Sequence, residues 1–272
     1  MLERNHRVDA GVPILEVEGL TAGYTRIPVI SDVCLTAYGG RVSAVVGPNG
    51  SGKSTMLKAI VGLLAYEGKV VHKGETVSGW PTHRIVTHGL GYVPQVQNVF
   101  PSLTVLENLE AGTFFRRASL RQGLERAFEM FPDLKLAAGK KAGTLSGGQR
   151  KMLAIARVLT SDPTVVILDE PTAGLSPNYV ETVWQRVRDI AKTGAAVLVV
   201  EQNVEMALRN SDFVDVLVGG RCVISGTAAD ARNQDLAAIF LGALGSIPSH
   251  QQTSDRSVRS VKQGQSEITL ED

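Results

Sequence analysis

The sequence predicts an α/β protein with a mixed β-sheet, and three observations carry that reading. Short β-branched runs at Val42–Val46, Val165–Leu168 and Ala196–Val200 show no polar alternation, as in strands covered on both faces. Each run is followed by a stretch with the helical spacing of apolar positions. Glycine-punctuated segments read as antiparallel strands: Leu15–Val17, Val29–Thr36 and Arg41–Val46 at the start, and a late hairpin, Val214–Val218 and Arg221–Ser225 around Gly219-Gly220. Val42–Val46 therefore falls in both groups.

Along the chain, residues 1–12 are polar and aperiodic and read as a flexible N-terminus. A helix is expected to begin near Lys53, directly after strand 42–46. Thr104 with Glu107 makes a capping box that opens another. Ser119–Phe131 sets Leu120, Leu124, Ala127, Phe128 and Phe131 on one face and should stop at Pro132. The region from about 96 to 146 lacks strong strands and reads as a helical subdomain inserted into the α/β core. Ser176-Pro177 is an N-cap followed by Pro at the first helical position, ahead of the stripe Val180, Val183, Trp184, Val187, Ile190 and Ala191. The domain so delimited covers 13–245. Residues 246–272 are rich in serine and charge, bury too little apolar surface to offset ordering entropy, and are expected to be disordered.

Composition narrows the function. With 272 residues the chain can bury a core without disulfide or metal staples, and 43% hydrophobic with 20% charged residues fits a globular protein. Lys plus Arg number 28 against 27 acids, a net +1, which leaves no basic footprint for nucleic acid. Cys34 and Cys222 form no CxxC pair, so a reducing cytoplasm is expected. The N-terminus lacks the apolar core of a secretory signal. The longest apolar run, Ala195–Val200, is far below the ~20 residues of a membrane helix, so any span must come from another chain.

Two elements carry chemistry. Gly47-Pro48-Asn49-Gly50-Ser51-Gly52-Lys53-Ser54-Thr55 fits G-x-x-x-x-G-K-[ST] between a strand and a helix. Its backbone N–H groups can curl around a phosphate at a helix N-terminus, Lys53 can reach the β- and γ-phosphates, and Ser54 can ligate Mg²⁺. Val165-Val166-Ile167-Leu168-Asp169-Glu170 projects two acids beyond a strand end, where open α/β sheets bind ligands. Asp169 suits the Mg²⁺ shell and Glu170 can polarise an attacking water as general base.

Between them stands Leu145-Ser146-Gly147-Gly148-Gln149, ahead of the helical run Met152–Leu159. With this order of motifs, residues 13–241 resemble the ATP-binding-cassette (ABC) ATPase family. The resemblance implies a P-loop NTPase, RecA-like core with a mixed sheet, N-terminal antiparallel strands and an all-helical signature subdomain. It implies that Ser146, Gly147, Gly148 and Gln149 face the γ-phosphate held by the P-loop of another subunit, so that ATP with Mg²⁺ is sandwiched between two helix N-termini. It places Tyr24 on the adenine. It makes Gln95, in Gly91-Tyr92-Val93-Pro94-Gln95, the glutamine that touches Mg²⁺ or the attacking water.

Two positions depart from the family pattern. Gln202 stands where the switch histidine is usual; it can donate to a γ-phosphate oxygen but cannot carry a proton, leaving the base function to Glu170. Ser176 replaces the D-loop aspartate, which puts cross-dimer coupling through that loop in doubt. With Gly91–Gln95, Val99–Asn108 and Val200–Asn203, both departures resemble the shorter ATPase subunit of branched-chain amino acid importers, and urea importers use closely similar subunits. The resemblance implies transmembrane permease partners, a second ABC ATPase subunit (or a homodimer in isolation), a periplasmic solute-binding protein acting indirectly, and a place on the cytoplasmic face of the membrane. Val96–Leu103, apolar at Val96, Val99, Phe100 and Leu103, is a candidate permease-docking surface, with core packing as the alternative. A soluble ABC ATPase acting on nucleic acid or ribosomes is the other class, disfavoured by near-zero charge, a single cassette, and no long coiled-coil insert between Gln95 and Ser146.

Overall fold

The computed structural model describes residues 11–96, 98–113, 120–236 and 238–240, so the tail from 246 onward and residues 1–10 lie outside it. Two sheets form. β1 (Pro13–Ala22) and β2 (Ile30–Tyr38) pair antiparallel, and β1 pairs on its other side with β4 (Tyr66–His72), which continues to the short β5 (Glu75–Thr76). β3 (Val42–Val46) does not join them. It lies in a six-stranded sheet ordered β10-β9-β3-β8-β7-β6, formed with β6 (Leu90–Val93), β7 (Val165–Asp169), β8 (Ala196–Glu201), β9 (Phe213–Val218) and β10 (Arg221–Thr227). β3 is parallel to both neighbours, β8 and β9, which corrects the expectation that Arg41–Val46 belongs with the antiparallel start. The physical reason lies in the packing. Val42, Ala44 and Val46 face one apolar core while Val45 faces the other, so a strand with two apolar faces takes the middle of the buried sheet. The late hairpin β9–β10 is antiparallel as the Gly219-Gly220 turn requires.

α1 (Lys53–Ile60) packs into the core shared by the two sheets. The opposite face of the six-stranded sheet is covered by α6 (Gly147–Leu159) and α7 (Pro177–Lys192). α7 buries Val183, Trp184, Val187, Ile190 and Ala191, each such apolar side chain stabilising by roughly 1.5–3 kcal/mol except the smaller alanine. Ser176 takes the N-cap backbone conformation, but its hydroxyl accepts no capping bond; Pro177 at the first helical position starts the helix. Thr104 and Glu107 cap α3 (Val105–Ala111) reciprocally, as their spacing demands. α4 (Leu120–Met130) ends just before Phe131, yet Pro132 is no terminus for the chain's helicity. It opens a second short helix, α5 (Pro132–Leu136), because proline tolerates a first helical turn where it cannot extend one. α2 (Thr82–His88), α8 (Val204–Asn210) and α9 (Ala228–Arg232) are further short helices. Among the described residues no helix is long and apolar enough to cross a membrane.

Candidate functional site

The loop 47–52 leaves β3 and enters α1 through Gly52, whose φ of 100° is a left-handed conformation. A Cβ there would lie 2.4 Å from Ile30 Cγ2, so both backbone and packing require glycine. No side chain caps α1 and no acid occupies its first turn, which leaves its N–H groups free for an anion. Lys53 is buried; its Nζ donates to the carbonyls of Gly47 at 2.8 Å and Pro48 at 3.0 Å. Burial draws its pKa down against Glu170, Asp169 and Glu201, which push it up. A cavity of about 170 Å³ opens here, lined by Val29, Asn49, Gly50, Gly52, Lys53, Ser54, Thr55 and Glu170. Tyr24 is 59% exposed, and Lys58 of α1 donates to its hydroxyl at 3.2 Å.

β7 is buried along its whole length and delivers Asp169 and Glu170 to this cavity's edge. Asp169 accepts from Ser54 Oγ and from Tyr92 Oη, each at 3.3 Å. Burial raises the carboxyl's pKa, and those two bonds with Lys151 and Lys53 hold it down. Burial and then Asp169 push the Tyr92 phenol up, so Tyr92 serves as a donor. Glu170 sits at φ 45°, its N–H bonded to the Val200 carbonyl at 2.9 Å. Its carboxylate accepts from Gln95 Nε2 at 2.6 Å. The structure thus joins P-loop, Asp169, Glu170 and Gln95.

Ser146–Gln149 stands apart. Ser146 caps α6 and pairs reciprocally with Gln149; Ser146 and Gly147 are exposed, and none of the four lines the cavity. A Cβ on Gly148 would fall 2.4 Å from the Tyr179 ring of α7, so the start of α6 lies directly on α7. Gln202, just beyond β8, is likewise exposed and outside the cavity lining.

Three residues of the site have no role legible in the sequence. Tyr92 reaches Asp169 from the neighbouring strand β6. Glu201 ends the apolar β8 and accepts from Thr172 N at 3.2 Å and Thr172 Oγ1 at 2.7 Å, anchoring the turn after Glu170. Lys151 of α6 donates to the carbonyls of Gln95 and Glu170. The available signals were an acid closing an uninterrupted apolar strand and a cation within the buried stripe of an amphipathic helix. In the segment 96–103, Val96 and Phe100 are 68% and 49% exposed while Val99 packs against the core; residue 97 is outside the described set. A wider concavity of about 860 Å³ lies away from the phosphate loop, on α4 and α5, beside Leu124, Phe128 and Pro132.

Residues 30–173 match the family model described as ABC transporter. The chain is 42% identical over 220 residues to a probable branched-chain amino acid transport ATP-binding protein, LivF, of Archaeoglobus fulgidus, covering 79% of this chain and 92% of that protein. It is 35% identical over 218 residues to the high-affinity branched-chain amino acid transport ATP-binding protein BraG of Pseudomonas aeruginosa, covering 79% and 94%. The crystal structure of the ADP conformation of an ABC transporter cassette superposes with a TM-score of 0.77 at 26% identity, covering 87% of this chain and all of that one.

Proposed function

The chain belongs to the ABC transporter family of ATP-binding cassettes, and on that footing we propose that it is the ATP-hydrolysing motor subunit of an importer for branched-chain amino acids. The observation that carries the chemistry is the 2.6 Å bond between Gln95 and Glu170 at the rim of the P-loop cavity. A carboxylate able to polarise water and an amide able to orient it meet beside the phosphate-loop cavity, which supports that reading. ATP enters with its phosphates on the α1 N-terminus; Lys53 leaves the carbonyls of Gly47 and Pro48 for the phosphate oxygens, and Tyr24 supports the adenine. Gln95 orients the attacking water and a Glu170 carboxylate oxygen takes its proton. Ser54 Oγ and Asp169 Oδ1, 3.3 Å apart, are hard oxygen donors of the type Mg²⁺ takes alongside substrate phosphates, and the Gln95 side-chain oxygen is proposed as a third. These residues would hold Mg²⁺, which would supply neutralisation of phosphate charge. Gln202 positions phosphate without exchanging protons.

The exposed start of α6 supports a nucleotide shared with a second ATPase subunit, Ser146–Gln149 closing on that subunit's ATP. Residues 13–245 constitute the nucleotide-binding domain, and the helices within about 96–146 its helical subdomain. Permease subunits anchor it at the cytoplasmic face, and a periplasmic binding protein delivers the solute. The test is co-purification from membranes followed by reconstitution. Leucine, isoleucine and valine should be taken up at the expense of ATP, and Glu170→Gln should abolish uptake, lower turnover by about 10²–10⁴-fold and accumulate a nucleotide-closed dimer. Uptake of urea in place of leucine would overturn the substrate assignment; normal turnover of Glu170→Gln would overturn the base assignment.

A further inference from the structure

α6 carries a cation into the interior. Gly148, Lys151, Met152 and Ile155 are all buried on it, and Lys151 is only 9% exposed. An ammonium there loses hydration and must find acceptors within the protein. Its Nζ donates to the Gln95 carbonyl at 2.8 Å and to the Glu170 carbonyl at 3.4 Å. These are the two residues whose side chains meet at 2.6 Å. Neither sits in regular secondary structure: Gln95 follows the end of β6, and Glu170 occupies a left-handed turn after β7. One atom of α6 therefore ties together both main chains from which the reacting pair projects. Asp169, Glu201 and Glu170 surround the ammonium electrostatically and favour its charged form, against the burial that lowers its pKa.

We propose that Lys151 is a positioning residue for hydrolysis: it fixes the main chains of Gln95 and Glu170 in mutual register and makes that register depend on the placement of α6, the helix opened by Ser146–Gln149. The inference rests on the reading of Gln95 and Glu170 as the residues that orient and deprotonate water. Lys151 does not itself line the P-loop cavity, and its hydrogen bonds run to the main-chain carbonyls of Gln95 and Glu170, so its loss acts on kcat and leaves nucleotide binding in place.

The experiment uses the assembled transporter with Lys151→Met, which keeps most of the unbranched stem and removes charge and donors, and Lys151→Arg, which retains both. Lys151→Met should lower kcat by roughly 10–100-fold with the KM for ATP within about twofold, since small displacements of reacting groups have effects of that size. Hydrogen exchange should quicken at amides around 95 and 173, whose neighbours the clamp holds. Lys151→Arg should recover most of kcat and slow exchange again. Should Lys151→Met fail to fold, Lys151→Gln, which is polar and uncharged with a shorter reach, is expected to lose kcat at unchanged KM. An unchanged kcat, a loss confined to KM, or an arginine variant as slow as the methionine one would overturn the proposal. Glu170→Gln run in parallel separates the two readings: an active Glu170→Gln refutes the base assignment, whereas an inactive one beside a fully active Lys151→Met refutes only the clamp.

Discussion

Gly147 and Gly148 are adjacent at the start of α6, and alanine at 148 should leave the protein less stable than alanine at 147. A Cβ at Gly147 meets nothing within 4 Å, so Gly147→Ala gains helix propensity, up to about 1 kcal/mol. A Cβ at Gly148 would stand 2.4, 2.6 and 2.7 Å from Cδ1, Cε1 and Cγ of Tyr179. Carbon atoms rest at about 3.5–4.0 Å, so the ring must withdraw by about 1 Å, close to its own attachment point where rotation gives little relief. Overpacking of that kind costs roughly 1–3 kcal/mol, which offsets or exceeds the propensity gain. The propensity contribution is shared by both variants, so their difference isolates the steric cost: Gly148→Ala should be less stable than Gly147→Ala by roughly 1–3 kcal/mol in urea unfolding. A double-mutant cycle with Tyr179→Ala should recover a coupling of about 0.5–3 kcal/mol at position 148 and none at 147. ATPase assays separate packing from chemistry, because Gly147→Ala adds a methyl to the exposed helix end proposed to meet the partner's nucleotide. It should be more stable and less active. Equal shifts for both variants, or a Gly148→Ala penalty that persists when Tyr179 is alanine, would refute the reasoning.

Burial, and then the charges of His88 and Lys73, depress the His72 pKa to about 4 from an unfolded value near 6.5. The unfolded chain therefore protonates first, so stability is full above pH 6.5 and lost as pH falls toward 4, by up to about 3 kcal/mol. Urea unfolding at pH 7 and pH 4.5 should show a smaller acid loss in His72→Gln, which keeps a partner for Thr164 Oγ1; identical pH slopes would contradict this. If Gln202 only orients phosphate, as proposed, Gln202→His should keep ATPase activity in the assembled complex; complete loss would contradict that role.

What the sequence discloses is local chemistry. The P-loop, the Asp169-Glu170 pair and the Thr104–Glu107 capping box depend on neighbours a few residues apart, and each takes its expected local form. Partnership across the chain is less visible. The strand partners of β3 lie about 150 residues downstream, and nothing in Val42–Val46 itself distinguishes a parallel neighbour from an antiparallel one. Phe131 shows the same limit at shorter range. Its place in the apolar stripe is correct, since it is buried, yet the helix boundary falls before it because Pro132 begins a new turn. Lys151 and Glu201 were hidden for a further reason. A lone charge in an apolar pattern has no readable purpose until the carbonyls of Gln95 and Glu170, or the amide of Thr172, are placed against it.

The left-handed backbone at Glu170 bears on how this protein responds to selection. A side chain other than glycine in that conformation costs about 1–2 kcal/mol, and glycine would relieve it. Glycine and asparagine, which fit this conformation better, carry no carboxylate. A library sorted for thermal resistance alone should therefore enrich glycine or asparagine at 170 and collect robust, silent proteins, whereas sorting for growth on the transported solute should keep the strained acid.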